Sequence, residues 1–120
     1  MKRLSVSVVL ALAIVMIPGN RKAEAGRIGG PASQIVAIPA NQSLYYDVSF
    51  TAGSPAIVSV VGGGLTNVEL YVYDGDGNVT RGAGIADRKT AVIAVYRAGS
   101  FRIELRNMSL LPSTVIVSTN

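Results

Sequence analysis

Val68-Glu69-Leu70-Tyr71-Val72-Tyr73, then Asp74-Gly75-Asp76-Gly77-Asn78, then Val79, is the stretch that decides the fold. Side chains alternate along an extended chain, so Val68, Leu70 and Val72 share one face and Glu69, Tyr71 and Tyr73 the other. Five turn-forming residues follow, and Val79 begins a returning strand. The whole reads as a hairpin with one apolar face.

The same pattern continues in both directions. Gln34 to Ile38 is a short strand stopped by Pro39 and Asn41. Leu44 to Phe50 sets Leu44, Tyr46, Val48 and Phe50 opposite Tyr45, Asp47 and Ser49. Gly53-Ser54-Pro55 turns the chain into the β-branched run Ala56 to Val61, which ends at Gly62-Gly63-Gly64. Beyond Val79, Gly82 to Asp87 reads as a polar loop, and Thr90 to Tyr96 as a central strand covered on both faces. Ala98-Gly99 leads into Phe101 to Arg106, where Phe101, Ile103 and Leu105 point inward. Arg102, Glu104 and Arg106 then form a solvated charged ladder. Leu110 to Ser113 turns around Pro112, and Thr114 to Ser118 is the last strand. About eight strands at this spacing, with no amphipathic helical segment, predict an all-β fold: a small antiparallel β-sandwich over residues 34–120.

The N-terminal residues read differently. Lys2 and Arg3 precede an apolar run from Leu4 to Ile17, and Pro18-Gly19 breaks it. Ala23-Glu24-Ala25 then supplies the small residues of a cleavage site. This is the pattern of a signal peptide over residues 1–25, with a flexible lead-in over 26–33. The apolar run has 14 residues, short of the roughly 20 that span a bilayer, so no stable membrane insertion is expected after cleavage. The expected location is periplasmic or extracellular, as for a bacterial exported protein.

Removing that segment also changes the charge. The whole chain carries 11 Lys+Arg against 7 Asp+Glu. Four of the cations and one acid lie before the cut, so the remainder has a net charge of only +1. A nucleic-acid partner therefore has no electrostatic support. The chain contains no cysteine, so the core must hold the domain without disulfides.

Catalysis lacks its usual groups. There is no histidine to serve as general base and no cysteine to serve as nucleophile. Lys89, beside Asp87 and Arg88, is expected at a solvated loop edge. The reading is of a non-enzymatic protein.

Two groups of residues stand out as binding candidates. Tyr45, Tyr71 and Tyr73, with Tyr96 as an outlying fourth, alternate outward and form an aromatic row able to stack on sugars or peptide. The structural alternative is that they are cross-strand pairs that stabilise the sheet. Asp74, Asp76 and Asn78 place oxygens at alternate positions, as the opening of a calcium loop does. The twelfth position from Asp74, however, is Ile85 and not a bidentate glutamate. The alternative is a plain turn. Asn67, Glu69 and Asp87 form a second set of candidate metal ligands, drawn from neighbouring loops.

Three segments together resemble the bacterial pre-peptidase C-terminal domain family. They are Val48-Ser49-Phe50-Thr51-Ala52-Gly53, Glu69-Leu70-Tyr71-Val72-Tyr73-Asp74-Gly75-Asp76-Gly77-Asn78 and Gly99-Ser100-Phe101-Arg102-Ile103-Glu104-Leu105. The resemblance implies a jelly-roll-like sandwich, usually appended to secreted hydrolases. Some members bind calcium, collagen or polysaccharide. The expectation is thus a secreted accessory domain that recognises an extracellular protein or polysaccharide, with calcium as its candidate cofactor. The alternative is a structural sandwich that self-associates in an envelope or extracellular assembly. Two departures matter. No catalytic domain accompanies these residues. Asn67 and Glu69 also stand where calcium-binding relatives tend to carry two aspartates.

Overall fold

The computed structural model describes residue 27 and residues 30–120; the signal-peptide assignment lies outside them, as do residues 26, 28 and 29 of the lead-in. Among the described residues, nine strands form two antiparallel sheets. They are β1 (Ala32–Ile38), β2 (Ser43–Phe50), β3 (Ala56–Val61), β4 (Val68–Tyr73), β5 (Val79–Arg81), β6 (Ala83–Ile85), β7 (Arg88–Ile93), β8 (Gly99–Asn107) and β9 (Ser113–Thr119). One sheet has the order β1-β9-β3-β7-β6 and the other β2-β8-β4-β5.

The alternation seen in the sequence sets which side of each strand is buried. Tyr46, Val48 and Phe50 of β2, Val68, Leu70 and Val72 of β4, and Phe101, Ile103 and Leu105 of β8 pack inward. They meet Val58 and Val60 of β3 and Val115 and Val117 of β9. Apolar area removed from water contributes roughly 25 cal/mol per Å², and here it is the dominant stabilising term. Phe50 and Phe101 meet edge to face with ring centroids 5.4 Å apart.

Five expectations need correction. The flexible lead-in expected over 26–33 does not reach residue 33, because Ala32 and Ser33 already pair with Thr119 and Ser118 in β1, and Arg27 bridges to Phe50. Gly82 to Asp87 is not a plain loop, because β6 pairs with β7 through Ala83–Thr90, Gly84–Lys89 and Ile85–Arg88. Gly84 permits this. Its φ is +150°, and a Cβ there would overlap the Arg88 carbonyl. The strand expected over 90–96 is β7, ending at Ile93, and only one of its faces is covered: Val92 is exposed while Ala91 and Ile93 are buried. Lys89 is not solvated; only 6% of it is exposed. Glu104 is not part of a solvated ladder either, being 2% exposed although it lies on the outer face of β8.

The outer faces of the two sheets differ. Within its strands, the five-stranded sheet presents Ile35, Ile116, Val61, Ile57, Val92 and small hydroxyl residues, with Arg88 the one charged side chain among the exposed positions. Ile35 faces Ile116 across β1–β9, and Ile116 faces Val61 across β9–β3. The four-stranded sheet carries the charges and tyrosines. Between β5 and β6 the chain passes from one sheet to the other through Gly82, whose N–H bonds Leu70 O at 2.8 Å and whose missing Cβ leaves room for the Leu70 side chain.

Candidate functional site

The site grows out of the register of β2, β8 and β4. Tyr45 and Tyr71 both stand opposite Glu104, Asp47 and Tyr73 opposite Arg102, and Ser43 and Glu69 opposite Arg106. Opposite residues share a face, so all of these gather on the outer surface of the four-stranded sheet. Glu104 is the hub. It accepts hydrogen bonds from Ser43 Oγ at 3.0 Å, Tyr73 Oη at 2.5 Å and Arg106 Nε at 2.9 Å. The Arg106 guanidinium also lies over the Tyr71 ring, 4.7 Å from its centroid.

Burial alone would raise the Glu104 carboxyl. The bonds from Arg106, Tyr73 and Ser43, with the Arg106 charge, reverse that and hold it below the usual carboxylate range. The Tyr73 hydroxyl is pushed up to about 12 by burial and by its bond to the Glu104 carboxylate. Asp47 and Arg102 form an outlying, more exposed pair at 3.0 Å. The tyrosines singled out in the sequence, Tyr45, Tyr71 and Tyr73, are thus brought together, half-buried, around a carboxylate. Tyr96 is not with them; it is 90% exposed in the loop after β7.

A cleft opens at one end of this face. The β4–β8 ladder stops at Tyr73–Arg102, while β8 continues to Gly99 against β2. β4 turns away at Asp74, leaving a cleft of about 430 Å³ between the 74–76 turn and the 94–101 segment, with Tyr96 and Arg97 at its wall.

The candidate metal ligands do not converge on one point. Asp74 Oδ1 accepts from the N–H of Asp76 and of Asn78, and its Oδ2 accepts from Asn78 Nδ2. These bonds, led by the one from the Asn78 side chain, hold the Asp74 carboxyl below its ordinary range. The five residues make a turn closed by Asp74 N–H to Asn78 O at 3.0 Å, with Gly77 in the left-handed region. Asp87 is buried apart from them. It accepts from Gly64 N–H at 2.8 Å and Thr66 Oγ1 at 3.0 Å, and fixes the β3–β4 loop.

Asn67 and Glu69 do come together, around the Lys89 ammonium. Nζ donates to Ala86 O at 2.7 Å, Val68 O at 3.0 Å and Asn67 Oδ1 at 3.2 Å, and Glu69 Oε2 is 3.6 Å away. A calcium ion needs several oxygens at about 2.3–2.6 Å around a vacant centre. Here the centre holds a tethered cation, so these residues do not fit a resident metal. No group of three or more His, Cys, Asp or Glu side chains able to hold a metal occurs among the described residues.

Sequence reasoning missed the two central residues, Glu104 and Lys89. For Lys89 a signal was present: Lys89, Ala91 and Ile93 share one parity, and the last two are apolar. For Glu104 none was, since only the pairing of β8 with β2 and β4 brings the covering tyrosines over it.

These features define a small two-sheet β domain with an aromatic, internally ion-paired outer face. No family model matches the chain, and no curated protein sequence matches it. Among solved structures, the chain is similar to the pre-peptidase C-terminal domain of a collagenase from Bacillus anthracis. The identity is 15% and the TM-score 0.67, over 85% of this chain and 100% of that one. It is also similar to a periplasmic inhibitor of g-type lysozyme from Aeromonas hydrophila, with 14% identity and TM-score 0.61, over 97% of this chain and 94% of that one. At these identities the likeness is one of fold, and it is the fold that the sequence resemblance implies.

Proposed function

We propose that the protein is an exported, non-catalytic domain that binds a protein or polysaccharide surface through the outer face of β2, β8 and β4. The observation that carries this reading is the aromatic cluster around Glu104. Tyr45 and Tyr71 flank a carboxylate whose bonds to Ser43, Tyr73 and Arg106 hold the surface in one arrangement. A rigid tyrosine surface loses little conformational entropy when it stacks on a sugar or peptide. The two structures of similar fold are a pre-peptidase C-terminal domain of a collagenase and an inhibitor of a lysozyme, and the second supports a role as a presented surface.

The test is retention on insoluble glycans, fibrillar collagen and immobilised g-type lysozyme. Tyr45→Ala combined with Tyr71→Ala removes the ring surface and leaves Tyr73 to anchor Glu104. Retention by the wild type, reduced about tenfold or more in the folded variant, is the expected outcome. Unchanged retention by the variant, or no retention of the wild type on any of the three, refutes the reading.

A second reading rests on the other sheet. The Ile35–Ile116–Val61 row leaves the five-stranded face with few charges to oppose contact with a second copy. It expects mass that rises with concentration in light scattering, without added ligand, and falls when Ile116 is changed to lysine.

A further inference from the structure

Lys89 lies on β7 of the five-stranded sheet, and its side chain turns inward with Ala91 and Ile93. An ammonium has three donors, and each has its own acceptor: Ala86 O, Val68 O and Asn67 Oδ1. The fourth oxygen, Glu69 Oε2, is buried and makes no hydrogen bond. It is held by charge alone, 3.6 Å from Lys89 and 3.2 Å from Arg81. A carboxylate, an amide oxygen and two carbonyls are the donor set of a hard cation. The backbone is shaped to supply them. Ala86, a residue with a Cβ, takes φ +56° in the β6–β7 turn that brings its carbonyl to the ammonium. Asn67, Val68 and Glu69 come from β4 and the residue before it, in the opposite sheet. The oxygens therefore belong to two sheets, and the cation between them ties the sheets together at one end of the sandwich.

We propose that Lys89 is the resident cation of an oxygen-lined site between the sheets. The protein supplies its own positive charge there, and its stability is independent of divalent metal. Trimming the side chain to remove the amine turns the same oxygens into a binding site for a small free cation.

Thermal melts of the wild type, Lys89→Ala and Lys89→Met in chelator, calcium chloride, ammonium chloride and sodium chloride at matched ionic strength test this. The wild type is expected to melt at one temperature in chelator and in calcium. Lys89→Ala should melt lower and recover roughly 5 °C or more in calcium or ammonium, the size mass action gives near saturation in a domain this small. Lys89→Met, whose longer side chain occupies the space, should also melt lower and recover nothing. Calcium stabilising the wild type as much as Lys89→Ala, or a folded Lys89→Ala that gains from neither cation, overturns the proposal. If Lys89→Ala does not fold, the ¹⁵Nζ resonance of the labelled wild type decides. A slowly exchanging ammonium signal at neutral pH, assigned by its loss in Lys89→Arg, supports the site, and rapid exchange at that position overturns it.

Discussion

Replacing Glu104 with glutamine is the most direct probe of the aromatic cluster. The carboxylate is 2% exposed and serves three donors, from Ser43, Tyr73 and Arg106. The amide keeps the shape, loses the charge and offers one acceptor oxygen where there were two. At least one donor then faces an N–H₂ group. Hydrogen bonds to a charged partner contribute about 1.5–3 kcal/mol each, and removing one member of a buried ion pair costs about 3–5 kcal/mol. Arg106 is partly exposed and keeps its place over Tyr71, so it rehydrates and lowers the penalty. The expected loss is about 2–3 kcal/mol, a fall in Tm of roughly 10–20 °C for a domain of this size. Urea and thermal unfolding followed by circular dichroism measure it, with Asp47→Asn as the control that breaks the more exposed pair with Arg102. Because the folded-state carboxyl is depressed, its contribution is complete above the unfolded value of about 4.3 and is lost as pH falls through the folded one. The wild type should therefore lose stability in acid more steeply than Glu104→Gln. Equal shifts for Glu104→Gln and Asp47→Asn, or parallel acid limbs, would refute the account of Glu104 as the hub.

Two further outcomes follow from single groups. Gly62→Ala should lower stability by about 2 kcal/mol or more in urea unfolding, because the new Cβ overlaps the Asp87 carboxylate that holds the β3–β4 loop; Gly63→Ala, with open space around it, is the control. Tyr46 and Tyr73 are both pushed up to about 12. Their contribution is complete below the unfolded value of about 10 and is lost between there and about 12, so Tm should fall across that window. Tyr73→Phe should shrink that fall, and ultraviolet absorbance of tyrosinate follows the titration directly.

The sandwich was legible because its apolar residues keep strict parity in β2, β4 and β8, where one face is buried and the other wet. β6 was not, since Ala83-Gly84-Ile85 has too few side chains to show a period, and its pairing depends on the backbone freedom of Gly84. The grouping of Tyr71 and Tyr73 could be read within one strand. That Tyr45 joins them depends on β8 lying between β2 and β4, a long-range fact with no local trace. Lys89 shows the opposite failure. Its parity with Ala91 and Ile93 points inward, whereas an ammonium's strong hydration points outward, and only the acceptors supplied by the opposite sheet decide between them.

The position of β9 governs when the molecule can exist at all. Among the described residues β1 pairs with β9 alone, and β9 is also the bridge to β3. The five-stranded sheet therefore cannot close until β9 has been made. A chain cut before Ser113 would leave β1 without a partner and the inward faces of β2, β4 and β8 partly uncovered. Closure of this sheet is thus the act of one connecting strand, and any change that loosens β9 loosens both of its neighbours at once.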